Sequence, residues 1–246
     1  MATWRLIPPL QASGKVQMAL DRWLLDQHYR GLHPPTLRFY TWEPIAISLG
    51  YHQRHCPDQW KQLIWNDSSV DLVRRPTGGR AVLHQGDLTY AVITSELMGS
   101  RMQNYRQICE FLIQGWRSLG VDLHYGQAER GYIHNPNCFD TATAADLVLA
   151  DGSKLIGSAQ LRRGKAILQH GSIQLNPDPV FFQQVFGVDP MLPKLPLSVH
   201  GAELLTIVRD TLLNAARQCF CIELQPQPLL QEEWRAIMGK GEVVTR

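Results

Sequence analysis

Three stretches of this 246-residue chain carry residue types that do chemistry. Cys138 stands in Asn135-Pro136-Asn137-Cys138-Phe139-Asp140, loop-type sequence outside any apolar stripe, which favours an accessible thiol. A thiolate can take and pass on an acyl group, provided something nearby lowers the thiol pKa. The stretch Asp151-Gly152-Ser153-Lys154-Leu155-Ile156-Gly157-Ser158-Ala159-Gln160 supplies a candidate. A lysine ammonium stabilises a thiolate and polarises a thioester carbonyl, and small residues after Lys154 let a substrate lie against the backbone. The third stretch runs from Arg74 and Arg75 through Pro76, Thr77, Gly78, Gly79 and Arg80 to His84. A glycine pair beside arginines lets backbone N–H groups approach a phosphate or carboxylate that guanidinium groups neutralise. It lacks the Lys-Ser/Thr end of a P-loop. Each stretch also has a plainer reading: an inert thiol, an exposed strand lysine, a β-turn between solvated arginines.

A fourth segment, Leu161-Arg162-Arg163-Gly164-Lys165, is a basic turn followed by Gln169-His170-Gly171-Ser172. It reads either as a solvated hairpin tip or as a contact surface. The histidines make no paired metal spacing with the cysteines, so no metal site is expected. A dyad of Cys138 with His134 or with His170 suits acyl transfer, and spacing leaves both open.

The elements that position these residues follow from periodicity. Val16, Leu20, Trp23 and Leu24 recur at helical spacing between Ser13 and Tyr29. LRFYTWEPIAISL, from Leu37 to Leu49, is rich in aromatic and β-branched residues around a proline and reads as one edge or irregular strand. Val70–Val73, Arg80–Leu83 and Leu88–Ile93 read as a small antiparallel meander punctuated by turn residues. Gln103–Leu119 returns to helical spacing and stops at Gly120. Asp146–Ala150, Ser153–Ala159 and Ala166–Ile173 read as a second meander, with Asp151-Gly152 as a two-residue hairpin turn. Pro179–Phe186 and Ala202–Cys219 read as helices. Helices and antiparallel strands without a βαβ rhythm indicate an α+β fold.

Bulk composition narrows the function classes. The chain is 44% hydrophobic and 19% charged with a formal net charge of +2, which excludes a disordered chain and argues against a bulk nucleic-acid binder. No apolar run approaches the roughly 18 residues of a membrane span, and the first residues do not resemble a secretory signal, so a soluble cytoplasmic protein is expected. Five cysteines are an odd, sparse set, expected to be free thiols.

Taken together, RRPTGGRAVLHQGDLTYAV, NCFD and DLVLADGSKLIGSAQLRRGKAILQHGSI, with MALDRWLL and RFYTWEPIAISLG before them, resemble the biotin/lipoate protein ligase and octanoyltransferase family over about residues 13 to 180. The cysteine in an NCFD-like loop upstream of K-x-x-G-S-A-Q is similar to the cysteine-dependent octanoyltransferases of that family. The resemblance implies a central mixed, largely antiparallel sheet flanked by helices. One catalytic domain over residues 1–246 is expected, with a helical C-terminal segment from about residue 180. It implies Cys138 as acyl-accepting nucleophile and Lys154 as its electrostatic partner. Arg75, Gly78, Gly79, Arg80 and His84 would line the acyl or carboxyl end, and Gly157, Ser158 and Ala159 the wall beside Lys154. The donor implied is octanoyl-acyl-carrier protein and the acceptor a lysine of a lipoyl domain or the glycine-cleavage H protein. Nucleic acid and membrane are not expected partners, and neither metal nor ATP is needed. The family alternative, an ATP-dependent lipoate-protein ligase, would use ATP and Mg; Arg80 where ligases usually carry a further glycine, and the short stretch after the last motif, count against it. A non-catalytic acyl- or carrier-binding module would have no requirement for the thiol.

Overall fold

The computed structural model describes residues 1–95, 97–126 and 145–239. Its frame is an eight-stranded mixed sheet flanked by helices, as an α+β reading requires. Eleven residues of β1 (Ala2–Ala12) lead into α1 (Gly14–Tyr29), β2 (Thr36–Trp42) and β3 (Ala46–Leu49). After a 3-10 turn over Asp58–Gln62 come β4 (Ile64–Trp65), β5 (Ser68–Ser69), β6 (Asp71–Arg74), β7 (Val82–His84) and β8 (Asp87–Thr94). Helix α2 (Arg101–Ser118) precedes β9 (His124–Tyr125), β10 (Leu147–Val148), β11 (Lys154–Arg163) and β12 (Ala166–Gln174). The chain continues through α3 (Pro179–Phe186), α4 (Gly201–Phe220), β13 (Ile222–Pro226) and α5 (Gln231–Gly239). The large sheet has the order β13-β1-β2-β8-β12-β11-β10-β9, parallel at β13-β1-β2 and antiparallel from β2 onward.

Two-residue alternation sorts the large sheet into two faces. Leu37 and Phe39 of β2 and Leu88, Tyr90 and Val92 of β8 pack with Ile108, Phe111, Leu112 and Trp116 of α2 and Val208 and Leu212 of α4. Tyr40, Trp42, Ala91 and Ile93 belong to the other core, with Met18, Leu20, Trp23 and Leu24 of α1. Helices α2 and α4 approach closely at Gly115, where a Cβ would stand 2.6 Å from a Leu212 methyl. Ser100 and Gln103 cap α2 reciprocally, and Gly120 beyond its end has φ +78°.

The structure corrects several expectations. LRFYTWEPIAISL is two strands, not one: β2 joins the large sheet, while β3 becomes the centre of a separate sheet of order β6-β3-β7. The first expected meander does not form, because β3 lies between β6 and β7 and β8 pairs with β2 and β12. The second meander forms as β10-β11-β12, but its first turn is wider than two residues. Gly152 N–H donates to Leu149 O, and Gly152 has positive φ (+85°) while Asp151 is not among the positive-φ residues. Asp151 Oδ1 instead accepts from the backbone N–H and hydroxyl of Ser153. Five strands, β1, β4, β5, β9 and β13, escaped the reading altogether. β1 holds Pro8 and Pro9 where its register against β2 shifts, between Ile7 and Leu10, so the missing donors fall at an irregularity. The stretch after residue 180 is not helical throughout, since β13 alternates buried Ile222 and Leu224 with exposed Glu223 and Gln225 and adds to β1.

Candidate active site

The Arg/Gly stretch is a loop built from inside. Arg75 is 6% exposed, and its guanidinium donates to Ser48 O (2.8 Å), Gly78 O (2.9 Å) and Arg80 O (2.6 Å), with Ser48 Oγ at 3.2 Å. A rigid fork of donors suits several carbonyls at once, so this arginine shapes the loop. Arg74 likewise donates to Gly50 O (2.8 Å) and the Gln53 carbonyl. Gly79 has φ +95°, a conformation glycine takes at little cost. Gly50, at the end of β3, is small for a different reason: a Cβ there would lie 1.8 Å from Gly79 O. Arg80 is buried within this interlocked segment.

Two hydroxyl–imidazole–carboxylate chains converge beside the loop. In the first, Ser48 Oγ lies 2.8 Å from His84 Nε2, and His84 Nδ1 lies 2.8 Å from Asp87 Oδ2. The same carboxylate oxygen accepts from Thr89 (3.0 Å) and Ser172 (2.7 Å). A carboxylate only accepts, so the ring proton sits on Nδ1 and Nε2 receives the Ser48 hydroxyl. The ring stacks on Trp42 with centroids 3.9 Å apart. Burial pulls the His84 pKa below the ordinary 6.5, helped by the Arg75 and His170 charges and opposed by Asp87, so the imidazole is neutral near pH 7. In the second chain, Thr77 Oγ1 stands 2.7 Å from His170 Nε2 and His170 Nδ1 stands 2.7 Å from Asp21 Oδ2 of α1. Asp21 also accepts from Tyr40 OH (3.0 Å) and pairs with Arg38 (3.4 Å).

A cavity of about 170 Å³ opens between these chains and β11. Arg75, Gly78, Gly79, His84, Gly157, Ser158 and Ala159 all line it, together with Ser48, His170 and Asp146. Register explains the β11 wall, because Gly157, Ser158 and Ala159 stand opposite Ser172, Gly171 and His170 of β12. Gly171 has no room for a side chain: a Cβ would meet Ser158 Oγ at 2.5 Å and the Tyr90 ring at 2.7 Å. Lys154, the first residue of β11, is 4% exposed and places Nζ 2.9 Å from Asp146 Oδ1, which ties it to the cavity wall. An exposed strand lysine is thereby ruled out. Cys138 and His134 lie outside the described residues. Ser48, Asp87 and Asp146 were missed in the sequence; the His84-to-Asp87 spacing was visible, whereas Ser48 sits in an apolar strand that gives no signal.

Among the described residues no cluster of three or more His, Cys, Asp and Glu could hold a metal ion, and no helix is long and apolar enough to cross a membrane.

Residues 13–194 match the lipoyl protein ligase A/B catalytic domain. The chain belongs to this family. Octanoyltransferase LipM of Lysinibacillus sphaericus is 36% identical across 98% of this chain and 96% of its own length. Octanoyltransferase LipM of Bacillus subtilis is 41% identical across 94% and 91%. Lipoate-protein ligase A bound with ATP shares the fold at a TM-score of 0.77 and 21% identity, covering 99% of this chain and 95% of its own. The bi-partite lipoate protein ligase of Thermoplasma acidophilum does so at 0.72 and 20%, covering 99% and 93%. The eight-stranded sheet is thus the fold this chain shares with those lipoate protein ligases, and its cavity lies between the Gly-Gly loop and Gly157–Ala159 of β11.

Proposed function

We propose that this chain is an octanoyltransferase of lipoate biosynthesis, moving an octanoyl group from acyl-carrier protein through a thioester on Cys138 to a lysine of a lipoyl domain or the glycine-cleavage H protein. The observation that carries the reading is sequence identity of 36–41% with octanoyltransferases over more than nine-tenths of the chain. The cavity supports it. Its Gly157–Ala159 wall leaves room against the backbone for an acyl chain, and Lys154, held by Asp146, brings positive charge toward a thioester carbonyl that becomes an oxyanion. The donor thioester is already activated, so no ATP and no metal enter the reaction. Four described cysteines are free thiols, which agrees with work in the reducing cytoplasm.

The two half-reactions are ping-pong. The Cys138 thiolate attacks the donor carbonyl and expels the carrier thiol; the acceptor amine then attacks the octanoyl-enzyme. The test is the intact mass of the protein after incubation with octanoyl-acyl-carrier protein without ATP. An octanoyl adduct is expected on the unaltered chain and none on Cys138→Ala. An adduct that persists in Cys138→Ala, or none in either, overturns the reading.

A further inference from the structure

We propose that Ser48, His84 and Asp87 are the proton relay that deprotonates the acceptor amine as it attacks the acyl-enzyme. The inference rests on the octanoyltransferase reading. The chemistry needs a base: the attacking nitrogen must lose a proton when its bond to carbon forms, and general-base assistance contributes roughly 10²–10⁴-fold. Lys154 is already engaged, with Nζ 2.9 Å from Asp146 Oδ1 and, in the octanoyltransferase reading, its side chain serving the thioester carbonyl.

Ser48 stands on the cavity wall with its hydroxyl directed at His84 Nε2. A serine oxygen has one proton and two lone pairs. The proton goes to His84 at 2.8 Å and one lone pair takes Arg75 Nη1 at 3.2 Å, so one lone pair is left for an incoming N–H. Behind the ring, Asp87 holds Nδ1–H and stabilises the imidazolium that forms, while Thr89 and Ser172 fix the carboxylate. Trp42 stacked on the imidazole blocks its rotation. This is the hydroxyl–imidazole–carboxylate arrangement of acyl-transfer enzymes, used here to take a proton from a substrate amine. The other chain ends on Thr77 inside the Arg75–Arg80 loop, where the Thr77 carbonyl also accepts from Tyr51 N–H, and serves to hold that loop.

The step balances without any further reactant. The neutral amine adds to the thioester carbonyl; its proton passes to Ser48 Oγ as the Ser48 proton passes to His84 Nε2. The C–S bond breaks, the amide is left on the acceptor, and the relay runs backward to return the proton to the departing sulfur. The titratable and charged groups facing the imidazole are Asp87, Arg75 and His170; Asp146 lines the cavity, with Lys154 paired to it. Because burial holds His84 neutral near pH 7, the relay is ready to accept there, and it fails when acid protonates the ring.

The experiment separates the half-reactions. The protein is first loaded with octanoyl-acyl-carrier protein, loading is read by mass, and single-turnover transfer to a lipoyl domain is then followed against pH. Ser48→Ala and His84→Gln are expected to load octanoyl yet transfer it roughly 10²-fold more slowly, with a smaller loss in Asp87→Asn. Ser48→Ala leaves the ring and its carboxylate in place and so guards against a folding defect. The acid-side fall in transfer that follows protonation of the imidazole is expected in the unaltered protein and lost in Ser48→Ala and His84→Gln, a change of pH profile that a merely structural defect would not produce. Normal loading followed by unchanged transfer in Ser48→Ala and His84→Gln overturns the relay alone. Failure of the unaltered protein to load overturns the octanoyltransferase reading itself.

Discussion

Arg75 reads in the sequence as a guanidinium waiting for an anion, yet three of its hydrogen bonds go to the carbonyls of Ser48, Gly78 and Arg80. One-dimensional spacing cannot distinguish an arginine that binds a ligand from one that ties its own loop, because both stand beside glycines. A lysine offers one ammonium in place of a fork, so Arg75→Lys is expected to cost about 2 kcal/mol and lower Tm by roughly 5 °C in a thermal melt. Lys154 was legible as a strand lysine next to small residues; its burial against Asp146 was not. Breaking a buried pair costs about 3–5 kcal/mol, so Lys154→Ala is expected to lose stability as well as acyl transfer, whereas Lys154→Arg keeps the charge; melting curves beside transfer rates separate the two effects. His84 carries a pH signature. Its folded-state pKa lies below 6.5, so in acid the unfolded chain takes up a proton that the folded chain does not, and stability falls as pH drops below about 6.5. Urea midpoints at pH 8 and pH 5.5 are expected to differ less in His84→Gln than in the unaltered protein.

Among the elements, long helices were legible because an apolar stripe repeats over many turns: α1, α2 and α4 start and stop within one or two residues of their expected ends. Short strands were not. A strand of four or five residues such as β3 or β13 shows only two alternations, and its partner is chosen by the rest of the fold. β3 matters most, since it carries Ser48 and leads directly into Gly50, which lies against the Gly79 carbonyl. Gly50→Ala is expected to push that loop aside, costing roughly 1–3 kcal/mol and at least tenfold in transfer rate, measured on protein that still melts cooperatively. The chain ends are joined by another buried pair. Arg5 of β1 holds Glu233 of α5 with two contacts of 2.7 Å. Although burial alone would raise its pKa, the Arg5 guanidinium and Leu230 N–H hold the Glu233 carboxyl below its usual 4.5. Glu233→Ala is expected to cost about 3–5 kcal/mol, roughly a 10 °C fall in Tm, and to leave acyl loading intact.

For the molecule as a whole, a net charge of +2 conceals where the basic residues work. Arg75 and Arg80 are buried and Arg74 holds carbonyls, so the exposed positive charge of these motifs is confined mainly to the β11–β12 turn, where Arg163 pairs with Asp26 and Lys165 faces solvent. Transfer is therefore expected to depend on salt only weakly, less than about tenfold between low and high ionic strength, rather than steeply as exposed arginines would require. The same inward turn explains the cavity: β3, the Arg75–Arg80 loop, β7, β8, β11 and β12 each contribute a polar group to one space of about 170 Å³. That convergence was legible as three separate motifs and one family resemblance, but the pairing of Ser48 with His84 exists only once the second sheet has formed. The central claim is a transfer that uses the donor's own thioester. It is tested most directly by mixing the protein with octanoyl-acyl-carrier protein and a lipoyl domain, with ATP enzymatically removed, and weighing the lipoyl domain. The expected result is an octanoyl amide on the domain's lysine; a domain acylated only when free octanoate or lipoate is supplied with ATP would contradict it.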